Sequence, residues 1–184
     1  MSMSSPPSSR RLASTALCTA LLGACATPAV PEGPLRKETL LALTQDHQLI
    51  RFNAGQPGRV LDRKPLQGLP AGDSLVGIDF RIARGMLYGL SRQGLLFSID
   101  TTSGRLTRIG SKPLAQPLDG QDFGFDFNPA ADRIRVVSGS VNLRLHPDTG
   151  EAVDGDAATP GVQPDGRLSY ASGDVHAGRH ADIV

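Results

Sequence analysis

The chain has 184 residues, 39% hydrophobic and 20% charged, a balance that describes a folded domain with a core and excludes wholesale disorder. Its 21 Gly and 14 Pro exclude long helices and point to frequent turns, while six Phe, two Tyr and no Trp leave the core mainly aliphatic. A formal charge of +1 gives no electrostatic basis for binding nucleic acid.

The first element is an address. Residues 1–11 are polar and end in Arg10 and Arg11, residues 12–24 (LASTALCTALLGA) are apolar or small, and Cys25 follows. An apolar run of about 13 residues is too short for a membrane-spanning helix, which needs about 20, so residues 1–24 read as a signal peptide. Leu22-Gly23-Ala24-Cys25 resembles the lipobox of bacterial lipoproteins, which predicts cleavage before Cys25, diacylation of that residue and attachment to a membrane through the lipid. Cleavage would remove two Arg and no acid, taking the charge from +1 to −1, and would also remove Cys18, so no disulfide is expected. Ala26, in a place where no Asp stands, resembles lipoproteins sorted to the outer membrane, and the expected location is therefore the cell envelope. Residues 25–37 then carry the lipidated Cys and a Pro-rich tether.

From Leu40 onward short apolar runs alternate with Gly, Asp-Gly or Pro, the signature of strands and turns. The runs repeat. Gly77-Ile78-Asp79-Phe80 returns 47 residues later as Gly124-Phe125-Asp126-Phe127, and LLALTQDHQLIRFN, MLYGLSRQGLLFSID and IRVVSGSVNLRLHP, matched at Asn53, Asp100 and His146, recur at steps of 47 and 46. Each unit predicts a GxDF strand, a turn (Arg81–Gly85 or Asn128–Asp132) and a strand (Met86–Leu90 or Ile134–Ser138). A third strand follows, then a fourth (Arg105–Ile109 or Glu151–Val153). Four short antiparallel strands in about 47 residues is a β-propeller blade as it looks in sequence. Residues 38–184 are thus expected to form an all-β, propeller-like repeat domain with one half unit at its front and two complete units, an incomplete ring whose open edges invite self-association.

The segments LVGIDFRIARGMLYGLSRQGLLFSIDTTSGRLTRIG, FGFDFNPAADRIRVVSGSVNLRLHPDTG and DGRLSYASGDVHAG are similar to a bacterial family classed as domain of unknown function 4394, over about residues 38–180. The resemblance implies a secreted or envelope-anchored protein with propeller-like repeats and brings no activity, cofactor or catalytic residue. In that family the stretch resembling LSYASGDVHAG is followed by another GxDF strand and further repeats, whereas this chain stops at Val184, and a truncated ring is the expectation.

No catalytic motif withstands inspection. Asp79 and Asp126 occupy equivalent places in the repeat; such carboxylates can converge on a channel as metal ligands or acid and base, or can hold turn N–H groups between units. Repetition favours the second role. His176 and His180 have the i, i+4 spacing of helical zinc ligands, but Gly178 lies between them and no Glu follows His176. Asp148, Asp154 and Asp156 lack the fixed spacing of a calcium loop and read as turn residues. Gly72-Asp73-Ser74-Leu75-Val76-Gly77 is one residue too long for a nucleophile elbow and leads into a strand. The Arg residues at 81, 84, 92, 105, 108, 133, 135 and 144 alternate with acids, as on a solvated surface. The favoured reading is a non-catalytic binding or scaffold module on the envelope, with a protein or carbohydrate ligand and no cofactor. The alternative is a propeller-type hydrolase or lactonase-like enzyme with a metal near Asp79 and Asp126.

Overall fold

The computed structural model describes residues 32–118, 120–181 and 183. The expected signal peptide, Cys25 and the first part of the tether lie outside the described residues. Ten strands follow one another: β1 (Thr39–Leu43), β2 (Gln48–Asn53), β3 (Val60–Pro65), β4 (Leu75–Arg81), β5 (Met86–Ser91), β6 (Leu96–Ile99), β7 (Leu106–Ile109), β8 (Phe123–Asn128), β9 (Arg133–Ser138) and β10 (Val141–Leu145). One 3-10 turn, Ile82–Arg84, joins β4 to β5, and the described residues hold no α-helix. None of their helices is long and apolar enough to cross a membrane.

The strands form three antiparallel sheets in the orders β1-β2-β3, β4-β5-β6-β7 and β8-β9-β10. The all-β class and the repeat of the sequence are both present, and the sheets do not close a ring. β1, β5 and β9 begin at Thr39, Met86 and Arg133, each 47 residues after the last. Only the middle unit has all four expected strands. In the third, Glu151–Val153 makes a single bridge, Ala152 to Leu145, before Asp154, Gly155 and Pro160 turn the chain away. The front unit is larger than the half unit expected, because β3 pairs with β2. Its sequence, VLDRKP, hides the strand behind three charges and a Pro at an edge.

Alternation in the middle sheet explains the layering. Leu87, Phe97 and Ile99 point to one face and join Leu49, Leu75 and Leu106 in a cluster shared with the first sheet. Tyr88, Leu90 and Leu96 point to the other face and pack with Phe127, Ile134, Val136, Leu143 and Leu145 of the third sheet. Period-2 strands with both faces apolar are thus buried on both sides. Leu90, Ile134 and Leu145 are wholly buried, and each such side chain is worth roughly 1.5–3 kcal/mol of burial.

The contact between the second and third sheets is closest where β4 meets β8. A Cβ on Gly77 would lie 2.5 Å from the Cβ of Phe125, so this backbone approach admits only glycine. Phe125 cannot retreat freely, since its ring stands edge-on to Phe127 at 6.3 Å. The first Gly of GxDF is therefore a packing residue. Gly77→Ala should cost about 1–3 kcal/mol of stability by overpacking, read from urea unfolding, whereas Gly173→Ala, with nothing within 4 Å and no positive φ, should be neutral or nearly so.

Candidate functional site

The residues singled out by the repeat meet at the β4–β8 seam. Asp79, in β4, accepts the N–H of Phe80 on Oδ1 at 2.8 Å and, across the seam, the N–H of Phe127 on Oδ2 at 2.7 Å. Both oxygens are thus taken by backbone donors, and the carboxylate ties one sheet to the next. Asp126 holds the matching place in β8, exposed and opposite Arg135 in the ladder, and its carboxylate makes no hydrogen bond with another described residue. The two carboxylates share no partner.

Two residues beyond Asp79, Arg81 enters the same seam and is only 3% exposed. Its Nε and Nη2 donate to Asp132 at 2.8 and 2.5 Å, a bidentate pair, and its Nη1 donates to Asp148 at 2.6 Å and to the Tyr88 hydroxyl at 3.3 Å. Asp132 comes from the turn between β8 and β9, and Asp148 from the Asp-Thr-Gly turn after β10. One guanidinium therefore gathers two turns of the third sheet onto the end of β4. The local backbone is selected for this: Asp132 has φ 48°, at the place where the preceding unit has Gly85 with φ 61°. Asp is among the few side chains that tolerate this left-handed region.

Arg81 was not separable by sequence from the surface arginines, and its burial corrects that expectation. One signal was present. Its repeat equivalent is Asn128, whose Oδ1 accepts the N–H groups of Ala130 and Ala131 within its own turn. A residue that departs from the repeat at a strand end was the mark of a contact between units.

A second network lies on β9 and β10. Arg135 and Arg144 stand directly opposite each other, an unfavourable pairing of like charges. Asp165 offsets it, accepting from Arg144 at 2.7 Å and from Arg135 at 2.6 Å. The Arg144 guanidinium, with Arg135 behind it, holds the Asp165 carboxyl below the usual carboxylate range. Nearby, Arg167 donates to the Ser140 hydroxyl and Leu168 N–H to the Ser140 carbonyl, pinning this part of the chain to the same sheet.

The other candidates remain apart. His176 lies against Tyr170, with ring centroids 5.3 Å apart, and His180 bridges to Ser169; Gly178, at φ 79°, separates them and no helix joins them. Asp154 and Asp156 cap their own turns by accepting backbone N–H groups, Asp156 from Ala158 and Asp154 from Asp156 and Gln163. Ser74 donates its backbone N–H to Asp73, which also receives Gln93 N–H. Among the described residues no group of three or more His, Cys, Asp or Glu side chains is placed to hold a metal ion.

Two outcomes are expected from this geometry. Asp79→Ala leaves the Phe127 N–H, in a residue 6% exposed, without its acceptor and should cost about 1–3 kcal/mol in chemical unfolding; Asp126→Ala should stay within about 0.5 kcal/mol. The Arg81 guanidinium holds Asp132 and Asp148 below the ordinary carboxylate value. Because folding lowers these carboxyls, their contribution is complete above the unfolded value of about 4 and is lost as pH falls through the lower folded values. Asp132 and Asp148 are 40% and 59% exposed, so water screens the pairing. Arg81→Met should accordingly lower the thermal midpoint by roughly 5 °C at pH 7, and thermal scans between pH 5 and 2 should show a shallower acid decline for the variant than for the native chain.

Comparison with known proteins gives one match. The model of a family described as a domain of unknown function (DUF4394) matches residues 48–184, which include nine of the ten strands, Asp79, Arg81, Asp126 and both arginine networks. No curated protein and no solved structure matches the chain. With the match covering most of the sequence and the whole β4–β8 seam, the chain belongs to the DUF4394 family.

Proposed function

We propose that this protein is an envelope-anchored lipoprotein whose propeller-like domain serves as a non-catalytic binding or scaffold module. The observation that carries the non-catalytic part is the state of Asp79, the candidate with the best claim to chemistry: both its oxygens accept backbone N–H groups, and the matching Asp126 shares none of its partners. A carboxylate that accepts a backbone N–H on each oxygen, one of them from the next sheet, serves as a fastening between sheets. Binding is favoured by the surface. Phe80, Ile82 and Met86, exposed to 38%, 76% and 39%, lie within a single strand connection on an otherwise near-neutral protein, which suits a protein or carbohydrate ligand better than a polyanion.

Anchoring rests on the sequence alone: Arg10 and Arg11, the apolar run 12–24, and Leu22-Gly23-Ala24-Cys25. A diacylated Cys25 followed by the Pro-rich stretch would hold the domain at the outer membrane on a short extended tether. Cells expressing the full chain and fed a palmitate analogue should label the native protein and recover it with the membrane fraction. Cys25→Ala should abolish the label, and equal labelling of both would refute the anchor.

A further inference from the structure

The first sheet differs from the other two in one respect. β5 and β9 each carry a GxDF strand on one edge, β4 (Leu75–Arg81) and β8 (Phe123–Asn128), whereas β1, their equivalent, has β2 on one side and no strand on the other among the described residues. The orientation of its backbone is fixed by the ladder. Thr44 N–H donates to Gln48 and Ala54 N–H to Glu38, so the even-numbered residues of this stretch face β2. Antiparallel pairs alternate, which turns the N–H and C=O groups of Thr39, Leu41 and Leu43 to the outer edge. These three are the counterparts, 47 residues back, of Met86, Tyr88 and Leu90, which pair with Arg81, Asp79 and Gly77 of β4.

The side chains tell the same story. Phe127, the Phe of the β8 motif, is 6% exposed beneath β4, while Phe80, the Phe of the β4 motif, is 38% exposed. Phe127 N–H is held by Asp79 of the preceding unit, while Phe80 N–H donates to its own neighbour, Asp79. Among the described residues ahead of β1, none fills this place. The residues 47 positions ahead of Gly77–Phe80 are Val30, Pro31, Glu32 and Gly33, and Pro31 has no N–H to give a ladder. Gly33 and Arg36 bond instead to Gly55 and Asn53, in the turn after β2.

We infer that the outer edge of β1 is a docking site for an extended peptide strand bearing Gly-x-Asp-Phe, bound antiparallel with its Asp opposite Leu41 and its Phe opposite Leu40. Main-chain bonds to Thr39, Leu41 and Leu43 give the attachment, the Gly allows close approach to β4, the Asp carboxylate takes Phe80 N–H over from Asp79, and the incoming strand covers the Phe80 ring. This gives the binding-module reading its partner and rests on that reading, while the lipid anchor is independent of it.

The test is a titration of a fluorescent peptide of residues 74–82 (SLVGIDFRI) with the full chain in mild detergent, followed by anisotropy. Saturable one-to-one binding is expected. It should weaken at least tenfold when the amides of the Gly and Asp are N-methylated, when the peptide is scrambled, and when the protein carries Thr39→Pro, an exposed position whose N–H the β1–β2 ladder does not use. Should Thr39→Pro fail to fold by circular dichroism, the N-methylated peptide poses the same question to the native chain. Absence of saturable binding, or equal binding of the methylated or scrambled peptide, overturns the site. So does a stable dimer by light scattering that the peptide cannot dissociate, since a second copy would then own the edge. Failure here with intact palmitate labelling would reject the docking edge and leave the anchored scaffold standing.

Discussion

The approach of β4 to β8 at Gly77 and Phe125 is the contact on which the rest of the molecule depends. Within each sheet the backbone bonds are made between neighbours in sequence, and they would form in any hairpin. What converts three hairpin sheets into one layered body is the burial of both faces of the middle sheet, and that burial needs β4 and β8 close enough for side chains to interdigitate. The Asp of the motif then uses the proximity, since only a short gap lets Asp79 reach Phe127 N–H. Gly, Asp and Phe in GxDF are therefore one device: space, a fastening, and the ring that is covered.

Arg81 adds a second kind of cohesion. A buried guanidinium is unfavourable without partners, and the chain supplies two carboxylates from turns 51 and 67 residues away, together with the Tyr88 hydroxyl. Both carboxylates keep part of their hydration, so the arrangement avoids the full desolvation cost of a closed ion pair while fixing where the turns lie. Asp165 does a similar service between Arg135 and Arg144, turning a repulsive cross-strand pair into a clasp for residues 163–168.

Much of this was legible in the sequence, and the part that was not has a physical reason. Strand positions followed from apolar alternation, and the unit length from the recurrence of GxDF, because both are properties of local backbone geometry. β3 escaped notice because an edge strand needs no apolar face, and VLDRKP shows none. Glu151–Val153 was overestimated because a matching turn ahead of it does not secure a partner beyond a single bridge. Arg81 looked like its neighbours because burial of an arginine is decided by partners 51 and 67 residues away, which no window along the chain contains. The repeat held the remedy: Asn128 in its place, and Asp132 where Gly85 stands, are the positions at which the two units stop being copies.

The 47-residue period also has a kinetic meaning. Every ladder joins strands adjacent in sequence, so each sheet closes only short loops and can form as its own residues become available. The bonds between sheets, Asp79 to Phe127 and Arg81 to Asp132 and Asp148, span 48 to 67 residues and must wait until the next unit has folded. Assembly thus divides into short-range closure within each sheet and long-range fastening between sheets, and the seam of Asp79 and Arg81 belongs wholly to the second.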